Sequence, residues 1–96
     1  MIDLASAYFE QAETSNRRTD YAAAVELLNR ALKTRPDDPV ALFNRAVVNE
    51  RMHLYKQAIQ DWQRYLRVDS GSAWASEAKK RLADAERMPA DSFQIP

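Results

Sequence analysis

The sequence has no cysteine, one glycine and one histidine among its 96 residues. Without cysteine, disulfide frameworks and thiolate metal sites are excluded, and the composition fits a reducing compartment. The single glycine, Gly71, cannot form a glycine-rich loop that cradles phosphate. The lone histidine, His53, has no second histidine at metal-ligand spacing and no cysteine nucleophile to activate. We therefore expect no cofactor, no metal and no catalytic activity of the chain's own.

Neither sign of charge predominates, because fourteen Lys and Arg residues balance fourteen Asp and Glu residues. A protein that binds nucleic acid or an anionic membrane is expected to carry a basic excess, so neither partner is expected here. No apolar run approaches the roughly 18 residues of a membrane-spanning helix. The N-terminus has neither the basic start nor the apolar centre of a signal peptide. These features together predict a cytoplasmic location.

What the sequence contains in abundance is helix formers, chiefly Ala, Leu, Arg, Glu and Gln. Breakers divide this all-helical composition into blocks. The segment TRPDDP at 34–39 ends one helix and caps the next, DSGS at 69–72 does the same, and Pro89 ends the last helix. Within the blocks, apolar residues recur at spacings of three and four. These signals predict five helices, near residues 3–17, 20–34, 38–52, 55–68 and 72–87.

Two segments that lie 34 residues apart are nearly alike: YAAAVELLNRAL at 21–32 and YKQAIQDWQRYL at 55–66. Aligning residues 5–38 on residues 39–72 gives eight identities, whereas chance at average composition would give roughly two. A period of 34 residues with a helix–turn–helix in each copy resembles the tetratricopeptide repeat.

The small residues of the two copies fall where the family's pattern expects them. Ala12 and Ala46 match the small residue of its first helix, and Ala24 and Ala58 match that of its second helix. A methyl side chain at these positions lets two antiparallel helices approach closely. Leucine at Ala24 should therefore overpack the contact.

Departures from the pattern mark the end of the array. Thr19 and His53 replace the family's usual turn glycine, Tyr65 replaces a small residue late in the second helix, and Ser70 stands where proline would close the unit. A large Tyr65 requires a small-faced neighbour, which the following helix offers in Ala73, Ala75 and Ala78. That helix is predicted to cap the solenoid with an apolar stripe formed by Trp74, Ala78, Leu82 and Ala85.

The resemblance implies an all-α fold, a right-handed superhelix of antiparallel helix pairs. We expect one domain over residues 1–88, and its parts are repeat one at 5–38, repeat two at 39–72, a capping helix at 72–87 and a flexible tail at 89–96. A frayed terminus is the simpler interpretation of the tail. The alternative is that its two apolar side chains, Phe93 and Ile95, occupy a groove of the same or a neighbouring molecule.

In tetratricopeptide arrays the first helix of each repeat lines a concave face that contacts a peptide, so the resemblance implies a protein-binding groove. Phe9 and Phe43, at equivalent positions, are candidate anchors for partner side chains; the alternative is that both pack into the seam between the first helices. The clamp with which some members hold the acidic tails of chaperones is not expected, because only Asn44 matches it. The predicted groove residues are Phe9, Glu13, Arg17, Val40, Phe43, Asn44, Val47, Glu50, Arg51 and Trp74.

Two other functions stay open at this point. The first is a homo-oligomerising scaffold, in which Ile2, Leu4 and Tyr8 join another subunit at the open N-terminal face. The second is a non-catalytic regulatory segment of a larger bacterial enzyme or signalling protein. In neither case does the sequence identify the protein or peptide partner.

Overall fold

The computed structural model describes residues 18–88, and these residues form four α-helices and no strand. Turns of three or four residues join the helices, and each helix packs against the next along the chain. None of the four has the length and apolar content needed to span a bilayer. The helices are α1 (Arg18–Thr34), α2 (Pro39–Arg51), α3 (Tyr55–Val68) and α4 (Ala73–Glu86).

The predicted all-α fold is confirmed over this range. Four of the five predicted helices begin and end within two residues of the observed bounds. The remaining predicted helix, at 3–17, lies outside the described residues, as does the tail at 89–96. Hydrophobic periodicity and breakers are both local signals, which is why they locate helix ends so closely.

The helix starts follow from their capping residues. The Oδ1 atom of Asp38 accepts hydrogen bonds from two amides in the first turn of α2, at 3.0 and 3.1 Å. Pro39 occupies the first helical position, where no N–H donor is needed. The Oγ atom of Ser72 accepts from the Ala75 amide at 3.2 Å and begins α4. Both predicted capping segments therefore start the helices that follow them.

The turn between α2 and α3 is closed by a residue in the left-handed conformation. His53 has φ 61°, and its N–H donates to the Glu50 carbonyl at 3.0 Å while the Leu54 N–H donates to the Asn49 carbonyl at 2.8 Å. These two bonds form a Schellman motif, whose left-handed position favours glycine because glycine has no Cβ. The family's usual turn glycine therefore has a conformational reason, and His53 meets the same requirement with backbone strain.

The core is built where small residues let the helices approach. Ala24, Ala46 and Ala58 are all completely buried, as the packing role predicted for them requires. Ala12 lies outside the described residues. Large side chains fill the remaining space between the helices, and the largest of those that are fully buried are Trp62, Leu28, Leu42 and Val48.

The last helix covers the core with one face. Ala75, Ala78 and Ala85 are buried and Leu82 is half-buried, while the exposed positions of α4 are mostly polar or charged. One face of α4 therefore packs on the core, and the other meets solvent. The prediction that Trp74 belongs to the covering stripe is wrong, because its side chain is 65% exposed and the neighbouring Ala75 is buried instead.

A buried polar network fixes α3 against α2. The Asp61 carboxylate, whose side chain is only 6% exposed, accepts two hydrogen bonds from the Arg45 guanidinium at 2.7 and 2.9 Å. It also accepts one from the Asn49 amide at 3.1 Å. A third nitrogen of Arg45, Nη1, donates to the Asn29 side chain on α1 at 2.9 Å. The network therefore links three helices and sets their relative positions.

Candidate functional site

A groove of about 620 Å³ lies where α2 passes the end of α3 and the start of α4. Its volume is in the range of natural ligand pockets, about 300–1,000 Å³. Most of its lining is apolar, and the polar groups are few and specifically placed. The residues that line it are Pro39, Val40, Phe43, Asn44, Tyr65, Val68, Asp69, Ser72 and Trp74.

Phe43 forms the centre of an aromatic cluster that extends from the core to the surface. Its ring centroid lies 4.7 Å from that of Trp62, 5.4 Å from that of Tyr65 and 5.3 Å from that of Trp74. All three pairs are edge-to-face, with interplanar angles of 84°, 76° and 81°. Because aromatic pairs prefer this geometry, the cluster gives the groove a fixed apolar wall. Of the two alternatives for Phe43, the structure supports neither alone, because its ring is half-buried and still lines the groove.

The groove gathers the exposed apolar surface of the described residues. Only four large hydrophobic residues in that range are strongly exposed, and three of them line the groove: Val40 at 53%, Val68 at 42% and Trp74 at 65%. The fourth, Met88, lies elsewhere. Single exposed apolar residues are ordinary, whereas a contiguous cluster of them is typical of an interaction site.

One rim of the groove carries a negative charge. Asp69 accepts hydrogen bonds from the Tyr65 hydroxyl at 2.7 Å, from the Ser72 hydroxyl, and from the amides of Gly71 and Ser72 at 3.3 Å each. The Ser72 hydroxyl, followed by the Tyr65 hydroxyl, lowers the pKa of Asp69, so this carboxylate is ionised at neutral pH. Burial and the bond to Asp69 raise the pKa of Tyr65, whose hydroxyl stays protonated as a donor.

Asn44 places an amide group inside the groove. The residue is half-buried and lines the cavity beside Phe43. In the part of the chain that the structure describes, its side-chain carboxamide makes no hydrogen bond. A carboxamide offers both donors and an acceptor, which is the combination that pairs with a peptide backbone.

The structure brings four of the ten predicted groove residues together, namely Val40, Phe43, Asn44 and Trp74. Val47 does not line the groove: it belongs to the hydrophobic core and is only 6% exposed, so we correct the expectation that partner side chains pack against it. Three further predicted residues, Phe9, Glu13 and Arg17, lie outside the described residues.

The other two predicted residues occupy the far end of α2. Glu50 accepts a hydrogen bond from the Trp62 indole N–H at 2.6 Å and another from Arg81 at 3.0 Å. Its carboxylate therefore joins α2 to α3 and α4 within the molecule. Arg51 and Glu50 line a separate, more polar depression of about 390 Å³ that shares no residue with the main groove.

The sequence patterns did not place Pro39, Tyr65, Val68, Asp69 or Ser72 in the groove. The last four lie at the end of α3 or in the turn after it, which the family pattern does not assign to the concave face. One signal was present in the sequence, because Val68 and Asp69 stand three and four residues after Tyr65 and therefore share its helix face. Among the described residues no cluster of three His, Cys, Asp or Glu side chains suits a metal ion.

The sequence matches a known family of repeat proteins. A sequence model of the tetratricopeptide repeat matches residues 11–83. The matched range includes every residue that lines the groove. No significant similarity to a curated protein is found.

Proposed function

Because the chain belongs to the tetratricopeptide repeat family, whose members are generally protein–protein interaction modules and typically non-catalytic, we propose that it binds a protein segment through the groove between α2, α3 and α4. The observation that carries the proposal is the concentration of exposed apolar surface there, at Val40, Val68 and Trp74. We further propose that α2 and α3 form the last full repeat, over residues 39–72, and that α4 is its cap.

Binding would bury an apolar side chain of the partner against the aromatic wall. Trp74 is mostly exposed in the free chain and packs edge-to-face on Phe43, so it is held in place before the partner arrives. A preformed wall lowers the entropy lost on association. An aromatic residue buried at the centre of an interface carries about 2 kcal/mol or more. The Asn44 carboxamide would bind the partner's backbone and set its register.

The proposal also includes the cellular location of the interaction and the classes of partner that are not expected. A cytoplasmic location, and the lack of nucleic-acid or membrane partners, are supported by the absence of cysteine and by the balance of fourteen basic and fourteen acidic residues. Association would then depend on contacts within the groove and little on long-range steering.

The test is selection of binders from a random eight-residue peptide library on the full chain, followed by affinity measurements with two variants. Trp74→Ala removes the exposed wall of the groove, whereas Met88→Ala removes an exposed apolar side chain that does not line it. We expect Trp74→Ala to weaken the selected peptides at least about 30-fold and Met88→Ala to leave them unchanged. Equal affinity for the Trp74→Ala variant would refute the proposal.

A second measurement distinguishes binding of a foreign peptide from self-association through the same groove. Sedimentation equilibrium over a concentration series should give a monomer for the wild-type chain and for Phe43→Glu. A wild-type dimer that Phe43→Glu converts to a monomer would assign the groove to a second copy of this chain instead.

A further inference from the structure

We infer that the preferred occupant of the groove is a peptide in which a lysine or arginine stands next to a large apolar side chain. This inference rests on the proposed function and adds the chemical class of the partner. It is carried by the juxtaposition of two features, an apolar seat against Phe43 and Trp74 and a single carboxylate, Asp69, on its rim.

The apolar part of the groove is large enough to bind a large side chain of the partner. Val40, Val68 and Trp74 expose apolar surface into one cavity of about 620 Å³, which admits more than a methyl or isopropyl group. Small side chains would leave much of this wall in contact with water. An aromatic or long aliphatic residue therefore gains the most burial.

The charged group at the rim of the groove is a carboxylate, that of Asp69. Among the described residues that line the groove, Asp69 is the only one whose side chain is charged at neutral pH, and no described residue forms an ion pair with it. The Lys79 ammonium, on α4, donates a hydrogen bond to the Ser70 carbonyl at 3.4 Å. By contrast, Asp37, in the turn between α1 and α2, is paired with Arg64 at 3.3 Å. At this rim a partner therefore meets a carboxylate that no ion pair with a described residue neutralises.

The hydrogen bonds of Asp69 define how a cation is recognised. Four donors already occupy the carboxylate, from Tyr65, Gly71 and two groups of Ser72. A carboxylate has about four acceptor positions, so little capacity is left for a direct bond. The attraction acts through charge and not through fixed geometry, so lysine and arginine should serve equally, and salt should weaken both.

The same rim disfavours acidic segments, including one in this chain. The tail at 89–96 carries the apolar residues Phe93 and Ile95, but Asp91 stands two positions before Phe93. Placing that carboxylate near Asp69 would bring like charges together. Charge complementarity thus favours a basic partner peptide over the chain's own tail.

The test uses one library-selected peptide and two relatives in which the residue beside the apolar anchor is changed, giving Lys, Gln and Glu versions. With the wild-type chain we expect the Lys version to bind about tenfold tighter than the Glu version, with the Gln version between them. Asp69→Asn should bring all three affinities to within about twofold of one another. Raising the salt concentration should weaken the Lys version and leave the Gln version unchanged, a readout that needs no variant.

The possible failures are distinguishable. If Trp74→Ala abolishes binding but the three versions bind equally, or the Glu version binds best, the basic preference is refuted and the groove remains the binding site. If Trp74→Ala leaves binding unchanged, the proposed function itself fails. If deleting residues 89–96 tightens binding of the Lys version, the chain's own tail competes for the groove and the inferred preference is overturned.

Discussion

Replacing His53 by glycine should stabilise the chain relative to replacing it by alanine. His53 has φ 61° and closes the turn after α2 with the two backbone bonds of a Schellman motif. A left-handed conformation costs a residue with a Cβ about 1–2 kcal/mol, and the greater freedom of glycine in the unfolded chain offsets part of that gain. We expect His53→Gly to exceed His53→Ala by about 1 kcal/mol in free energy of unfolding.

The alanine variant is the matched control, because both variants lose the contact between the His53 ring and the Tyr55 hydroxyl, 3.0 Å apart in the wild type. The wild type should lie between the variants, since it has the strain and also a hydrogen bond worth about 0.5–1.5 kcal/mol. Urea unfolding followed by circular dichroism measures all three, and about 1 kcal/mol corresponds to a melting shift of roughly 4–8 °C at this size. Equal stability of the glycine and alanine variants would refute a left-handed His53.

Three further changes test the core and the rim. Asp61→Ala should lower the free energy of unfolding by about 2–3 kcal/mol, since it leaves the partly buried Arg45 guanidinium without its carboxylate; a loss below about 0.5 kcal/mol in urea would contradict the network. Ala24→Leu should lower the free energy of unfolding by about 1–3 kcal/mol, because it overpacks a fully buried site. An unchanged urea midpoint would contradict close packing around Ala24. Because the folded pKa of Asp69 is lowered, its contribution to stability is present above about pH 4 and is lost as pH falls through the folded pKa. Asp69→Asn should therefore flatten that part of the acid unfolding curve, and identical wild-type and variant curves would count against the hydrogen bonds to its carboxylate.

The helices and the small-residue contacts were predictable because their causes are local or repeated. Asp38 and Ser72 cap the helices that follow them, and a capping side chain acts on amides two or three residues away. Ala24 and Ala58 stand at equivalent positions of the two copies, and both are completely buried. A pattern of spacing in the sequence is enough to show both effects.

The composition of the groove was only partly predictable, since it depends on which helix faces meet in space. Periodicity assigned Trp74 to the stripe that covers the core, whereas its ring lies against Phe43 and Ala75 takes the covered position. One residue along a helix turns a side chain by about 100°, so a small error in the facing direction exchanges buried and exposed roles. Val47 shows the converse, because it lies on the predicted groove helix but packs into the core.

Tyr65 explains why the groove of this chain differs from what the repeat pattern alone would give. It stands where the family has a small residue, and the buried Ala75 and Ala78 of α4 belong to the same core cluster, as its size requires. Its ring lies 5.4 Å from that of Phe43, and its hydroxyl reaches Asp69 at 2.7 Å. A small residue in its place would leave the aromatic wall without one neighbour and the carboxylate without one of its donors. A single large residue at the end of α3 therefore both supports the apolar seat and holds the charge beside it, which links the packing of the core to the partner chemistry that we infer.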